Sequence, residues 1–359
     1  MRPVIIGAGP IGCYTAMKLK SLNPIIFEDH KQVGLPCHCA GLINKRIDEL
    51  VKLPSELVLN TVRGAKLFSK NKSVTIDSGK KTAYVIDRAL FDKQLAKLSG
   101  AEIRLSEPII NYELTGSLMS VKTSKRELKT ELLIDASGPR KPVKYAIGVQ
   151  VRAKLKVDED FVQIHFNSPG FFSWVIPEGD GVCRIGLGAK QDAVKNLNIF
   201  LKKIGAKKAI DKQAGVIPLS VEQFYSNNMI RIGDSAGQVK STTGGGIITG
   251  LLSADYAASS VIKAYNDNNF TKSFFNNNYY KPWSKTVGRE LRLHAMIRSL
   301  LNKFDDSGYD LLINFINDNK SVIQEHGDMD FPSKFLFKFL KFNNVVYALK
   351  FLSKTFKNR

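Results

Sequence analysis

A chain of 359 residues, 43% of them hydrophobic, can bury a sizeable core and is expected to fold as two or three domains. Its formal net charge of +20 suits anionic lipid, an acidic protein or nucleic acid, but no nucleic-acid-reading motif occurs and the lysines are not interleaved with stacking aromatics, so no nucleic acid partner is expected. No segment approaches the ~20 apolar residues of a membrane span, and four cysteines in so long a chain do not make a disulfide framework.

Pro3-Val-Ile-Ile6 is a β-rich apolar run that leads into Gly7-Ala-Gly-Pro-Ile-Gly12 and then a helical pattern through about Lys20. In a phosphate-binding turn of this kind Gly7 permits the tight bend, Gly9 lets the backbone approach a pyrophosphate, and Gly12 lets the helix pack on the strand. A second strand, Ile25-Ile-Phe27, ends at Glu28, at the separation of an acid that accepts from an adenosine ribose. The first strand starts too early to leave room for a signal peptide, and the expected location is the cytoplasm. Cys37 and Cys39 have only His38 nearby, which is too few ligands for zinc, so no metal is expected.

Residues 62–77 alternate like a hairpin. Ala83-Tyr-Val-Ile86 is a strand, Asp87-Arg88 opens a helix to about Leu98, and a short strand follows at 102–105. Segments at 109–114, 118–123 and 128–134 predict a small meander that ends in Asp135-Ala-Ser-Gly138. From Val149 to about Arg231 the pattern is mostly strands, at 149–157, 161–166, 172–176 and 182–187, with one helix near 193–204 and a hairpin turn at 178–181. Met229 to Ile232 predicts a buried strand. Gly233 then turns the chain, and Asp234 arrives with a carboxylate free either to cap a helix or to accept from ligand hydroxyls, such as those of a flavin's sugar-alcohol chain. Gly244 to Gly246 clear the start of the next helix, so that backbone N–H groups and the helix dipole can face an electron-rich ring. Asn266 to Asn278 reads as a polar connection, and helices follow.

Together these residues resemble the geranylgeranyl reductase family, within the flavoprotein superfamily that includes para-hydroxybenzoate hydroxylase. The likeness spans roughly Met1 to Val261. The opening glycine turn with Glu28, the Asp87-Arg88 junction and Gly233-Asp234 are superfamily-wide. Pro36-Cys-His-Cys39-Ala-Gly41 is similar to the family's P-x-x-C-x-G, and Pro169-Gly-Phe-Phe172-Ser-Trp174-Val-Ile-Pro177 to its P-x-x-Y-x-W-x-F-P, with Phe172 and Ile176 departing from the pattern. The resemblance implies an α/β protein, α+β overall. A Rossmann-like FAD-binding domain (1–60, 80–148 and 228–265) would carry an inserted antiparallel β-sheet substrate domain (61–79 and 149–227) and a helical C-terminal region (266–359).

It further implies FAD as cofactor, with Gly7, Gly9, Gly12, Glu28, Cys39, Ala40, Arg88, Asp234, Gly245, Gly246 and Ile247 at the flavin, and Cys39, Phe172 and Trp174 as catalytic residues. Three roles stay open for Cys39: proton donor beside the flavin ring, shaper of the cavity, or buried structural thiol. Arg88 is either a flavin contact or a solvated charge, and Trp174 either a substrate wall or plain core. The implied activity is saturation of geranylgeranyl chains, with archaeal diether phospholipid favoured over free geranylgeranyl diphosphate. A monooxygenase on the same scaffold and a non-catalytic prenyl-lipid carrier are the rivals.

Past Asp330 no acidic residue occurs, while Val345, Leu349, Leu352 and Phe356 recur opposite Lys350, Lys354 and Lys357. That cationic amphipathic segment either rests on the inner face of an anionic membrane or packs against the substrate domain. With one dinucleotide-type turn visible, electrons would come from a transient visitor, either an acidic ferredoxin or NADPH.

Overall fold

The computed structural model describes residues 1–139, 144–168, 170–206, 209–336, 347 and 351. The chain forms two compact units, Met1–Cys37 with Asp87–Lys144 and Pro218–Leu291, and His38–Ile86 with Tyr145–Ile217 and Arg292–Arg359. Pro169 and the residues that define the C-terminal amphipathic pattern, Val345, Leu349, Lys350, Leu352, Lys354, Phe356 and Lys357, lie outside the described residues.

The first unit is built on a six-stranded sheet. Its parallel core runs Met229–Arg231, Leu133–Asp135, Val4–Ile6, Ile25–Phe27 and Glu102–Arg104, and the short Tyr225–Ser226 adds an antiparallel edge. Val4, Ile5, Ile25, Ile26, Phe27, Leu133 and Ile134 are all buried, as parallel strands covered on both faces require. The helix Pro10–Lys18 connects the first two strands, with proline at its first position where a missing N–H costs nothing. Asp87 caps the helix Arg88–Ser99 by accepting from Leu90 N at 3.0 Å.

The expected meander forms, as Ile109–Thr115, Leu118–Thr123 and Glu127–Thr130. Residues 128–134, expected as one strand, divide between this meander and the parallel sheet. Thr130 makes the break, its hydroxyl donating to Leu132 O and accepting from Leu132 N. The expected polar connection after Asn266 is helical from Lys272 onward. Thr271 caps it, and Phe275, Tyr279 and Trp283, each four residues apart, carry one buried face through the asparagines.

The second unit centres on a seven-stranded sheet in the order Ala209–Pro218, Tyr145–Lys154, Val182–Ala189, Ser173–Gly179, Phe161–His165, Gly64–Phe68 and Ser73–Asp77. A three-stranded sheet of Leu42–Asn44, Ala83–Ile86 and Val58–Val62 belongs to the same unit. Alternation sorts the large sheet's side chains. Val149, Val151, Val175, Cys183, Ile185 and Leu187 form an apolar core with Ala193, Leu197 and Phe200 of the helix Ala193–Lys203. The residues between them, Gln150, Arg152, Trp174, Arg184 and Gly186, project from the opposite face. The strand Ala209–Pro218 was not marked in the sequence, because its alternation is polar with half-buried positions.

Candidate functional site

The Gly7-x-Gly9-x-x-Gly12 turn joins the strand Val4–Ile6 to the helix Pro10–Lys18, and its three glycines serve different ends. Gly7 has φ +94°, and a Cβ there would stand 2.7 Å from Ala136 O. A Cβ on Gly12 would collide with Gly7 O. Among the described residues, a Cβ on Gly9 would meet no atom within 4 Å. The protein's own packing therefore explains two of the glycines and leaves Gly9 opening a space at a helix N-terminus, the fit expected for a bound pyrophosphate.

Glu28 ends the adjacent strand. Its carboxylate accepts from Ala8 N at 2.6 Å, from His30 N at 3.0 Å and from His30 Nδ1 at 2.5 Å. Burial raises the Glu28 pKa, but hydrogen bonding to Asp29, Ala8 and His30 outweighs it and leaves the group below its ordinary value. An ionised Glu28 thus both fixes the phosphate turn through Ala8 and presents acceptor oxygens, as a ribose would need.

Asp234 lies in a tight turn, Gly233–Ala236, and does not cap a helix. Ser235 locks that turn by donating to Asp135 O at 2.7 Å and Ile232 O at 2.9 Å, and Gln238 Oε1 accepts from Gly233 N at 2.8 Å. Burial raises the Asp234 carboxyl to about 6, and the nearby Arg88 charge offsets part of the rise. Arg88 is no solvated charge, since its side chain is mostly covered and its guanidinium holds Asp92 at 2.9 and 3.1 Å. Gly246 precedes the helix Ile247–Asn266, and a Cβ on it would come within 2.8 Å of Asp234 Oδ1. Gly245 lies against the buried Lys240 side chain. Gly7, Gly9, Gly12, Glu28, Arg88, Asp234, Gly245, Gly246 and Ile247 all fall in the first unit.

In the second unit Cys39, Ala40, Phe172 and Trp174 share the polar face of the large sheet. Gly186 leaves room there for the indole of Trp174, since a Cβ on it would lie 2.5 Å from Trp174 Cζ2. Trp174 Nε1 donates to Gln150 Oε1 at 3.2 Å, and Gln150 Nε2 donates to Cys39 O at 3.1 Å and to Gln213 Oε1 at 2.7 Å. Arg184 donates from Nη1 to Ala40 O at 2.8 Å, from Nη2 to Ile86 O at 3.0 Å, and from Nε to Glu178. Cys39 is half-buried, and its Sγ accepts from Gly41 N at 3.3 Å. Phe172 stacks on Phe171 with centroids 4.5 Å apart and meets Trp174 edge-on at 6.0 Å. Arg298 lies 4.4 Å over Phe171, and burial lowers its pKa to about 10.

No protein-family model matches the chain. A digeranylgeranylglycerophospholipid reductase of Methanocaldococcus jannaschii is 27% identical over 86% of this chain and 88% of its own length. One from Methanosarcina acetivorans is 24% identical over 88% of each. Among solved structures, a geranylgeranyl bacteriochlorophyll reductase-like protein from Thermoplasma acidophilum superposes with TM-score 0.84 at 21% identity, over 97% of this chain and 98% of that one. The resemblance to geranylgeranyl reductases is borne out. The shared fold is also that of halogenase PltM, solved in complex with phloroglucinol and FAD, at TM-score 0.65 and 15% identity over 98% of this chain and 91% of that one.

Measured against that family's motifs, sequence reasoning missed Gln150, Arg184 and Glu178. The turn at Gly179–Gly181 forms as expected, but Glu178 is more than a turn residue. It is buried, accepts from Arg152 Nε at 2.7 Å, and pairs with Arg184. The available signal was a polar residue set between apolar neighbours in two strands, Val149-Gln150-Val151 and Cys183-Arg184-Ile185, while Glu178 follows the apolar Ile176-Pro177 near the end of its strand.

Proposed function

We propose that the chain is an FAD-dependent reductase that saturates isolated double bonds of geranylgeranyl chains, with a diether phospholipid of archaeal type as its substrate. The observation that carries this reading is the match to relatives named for that reaction over 86 and 88% of the chain. The glycine and carboxylate arrangement of the first unit supports FAD, with Gly9 at the pyrophosphate, Glu28 at the ribose, and Asp234 and Arg88 at the flavin end.

An isolated trisubstituted alkene has no carbonyl to draw electrons from an incoming hydride, so a proton and a hydride must both be supplied. Bound and reduced, FAD supplies the hydride. The Cys39 thiol supplies the proton to the less substituted carbon and is reprotonated from solvent. Its sulfur accepts from Gly41 N, a bond that uses a lone pair and does not consume the S–H proton. The indole N–H of Trp174 is taken by Gln150, so what Trp174 offers a substrate is its π face. With the ring of Phe172 it stabilises positive character on the tertiary carbon. Phe172 carries no hydroxyl, which suits an apolar chain with nothing to hydrogen-bond.

Uncompensated basic charge suits an acidic ferredoxin as electron donor and an anionic membrane as the surface on which substrate is met. Among the described residues no helix is long and apolar enough to cross a membrane. Anaerobic incubation with dithionite-reduced FAD and an unsaturated prenyl lipid should raise product mass in two-dalton steps. Binding with no change in mass would instead indicate a carrier, and oxygen-dependent substrate turnover a monooxygenase.

A further inference from the structure

Two successive carbonyls of the Cys39 loop are each held by a side chain from a different strand of the seven-stranded sheet. Gln150, from Tyr145–Lys154, donates to Cys39 O, and Arg184, from Val182–Ala189, donates to Ala40 O. The next residue, Gly41, has φ +67°, and a Cβ there would collide with Arg184 Nη1. The glycine of the Pro36-to-Gly41 motif is thus required by a guanidinium packed beneath the loop, as well as by its backbone conformation.

Both tethers are themselves fixed. Gln150 is buried, and its amide orientation is set on both sides: the oxygen faces the Trp174 N–H, and the nitrogen faces the Cys39 and Gln213 oxygens. Arg184 is oriented by Glu178, which also binds Arg152. The residues in the aromatic wall and in the thiol loop are therefore joined by one amide, Trp174 to Gln150 to Cys39.

We infer that Gln150 and Arg184 are positioning residues that hold the Cys39–Gly41 loop, and with it the thiol, in register with the Trp174 ring. Neither touches the reacting atoms. They act by removing the loop's freedom, so that the thiol is presented in one place. The consequence for turnover rests on the reductase reading above, whereas the consequence for the loop does not.

The test uses Cys37→Ser protein as purified, so that Cys39 is the reactive thiol that remains. Cys13 and Cys183 are buried, burial being the main cause that raises both their pKa values, Cys183 to about 12, and they report general unfolding. Gln150→Glu keeps an acceptor for Trp174 but cannot donate to Cys39 O, and Gln150→Met, uncharged and of similar length, serves if the glutamate variant does not fold. Iodoacetamide labelling followed by peptide mass spectrometry should show Cys39 alkylated about tenfold faster than in the parent, with Cys183 unchanged, the size expected for loss of one buried hydrogen bond. Labelling of Cys39 within twofold of the parent, or a parallel rise at Cys183, would overturn the tether. In prenyl-lipid reduction the same variant should lower kcat about tenfold with KM within twofold, and an unchanged kcat, or a loss confined to KM, would overturn the positioning role. The labelling result needs neither flavin turnover nor substrate, so failure of the reductase reading and failure of the tether are read separately.

Discussion

In the parallel sheet's first turn Gly9 has no atom of the described residues within 4 Å of where its Cβ would be, whereas in the seven-stranded sheet Gly186 lies under the indole of Trp174. One unit makes its candidate surface by leaving atoms out, with bare glycines at helix starts and the carboxylates of Glu28 and Asp234. The other makes its surface by fixing side chains, through Gln150, Arg184, Glu178 and the aromatic residues they hold in place. The difference teaches where each kind of substitution should act. In the first unit binding and stability come apart at neighbouring positions, and in the second they are linked through buried polar contacts.

The strongest break in this comparison is Glu178→Leu, which leaves the guanidiniums of Arg152 and Arg184 facing each other without their shared carboxylate. Urea denaturation should show a loss of about 3 kcal/mol, discounted from the top of the range because Arg152 is partly exposed. Next comes a paired test in the glycine turn. Gly12→Ala should cost on the order of 3 kcal/mol of stability, because its Cβ has nowhere to go but into Gly7 O. Gly9→Val should leave the melting temperature nearly unchanged while weakening FAD binding by about 100-fold, read by fluorescence titration. Equal stability losses at Gly9 and Gly12 would erase the distinction drawn between them.

How much of this was legible in the sequence follows the same division. The first unit's turn could be read because its logic is local: a strand, three glycines at fixed spacing, a helix start, and an acid at the end of the next strand. Asp87 could likewise be read as a cap from its place before a helical pattern. The tethers of the second unit could not be read, because Gln150 and Arg184 reach Cys39 and Ala40 from more than a hundred residues away, and Glu178 meets Arg152 and Arg184 from a different strand. Alternation marked them as facing away from the apolar core, which in a one-sided sheet would mean solvent. Only the loop and aromatic residues packed on that face make it interior. The helix through Asn276–Tyr280 was hidden for a related reason, since local asparagine preference was overridden by burial of Tyr279 and Trp283.

Two smaller effects sharpen the contrast through pH. His165 is stacked on Phe68 at 4.5 Å with Phe200 edge-on at 5.0 Å, and burial, helped by the charge of Lys203, lowers its pKa to about 4. A base whose folded pKa lies below its unfolded value of 6.5 leaves stability intact above that pH and removes it as pH falls toward 4, here by about 2 kcal/mol at about pH 5. His165→Phe should abolish that part of the acid dependence in denaturation curves. Asp234 has the opposite sign. Its carboxyl is raised to about 6, so its contribution to the flavin-free fold is present below pH 4 and lost as pH rises through 6. A hydroxyl donor favours the ionised form, and FAD should therefore bind more tightly at pH 8 than at pH 5. Asp234→Asn should flatten that dependence and weaken binding at pH 8 by about tenfold, the smallest of these effects.

The most direct test of the whole account is a titration of the purified chain with FAD, read by flavin fluorescence and absorbance. Saturation at one FAD per chain is expected, with binding weakened by Gly9→Val and by Asp234→Asn. A wild-type protein that stays colourless and takes up no flavin at any concentration would contradict it.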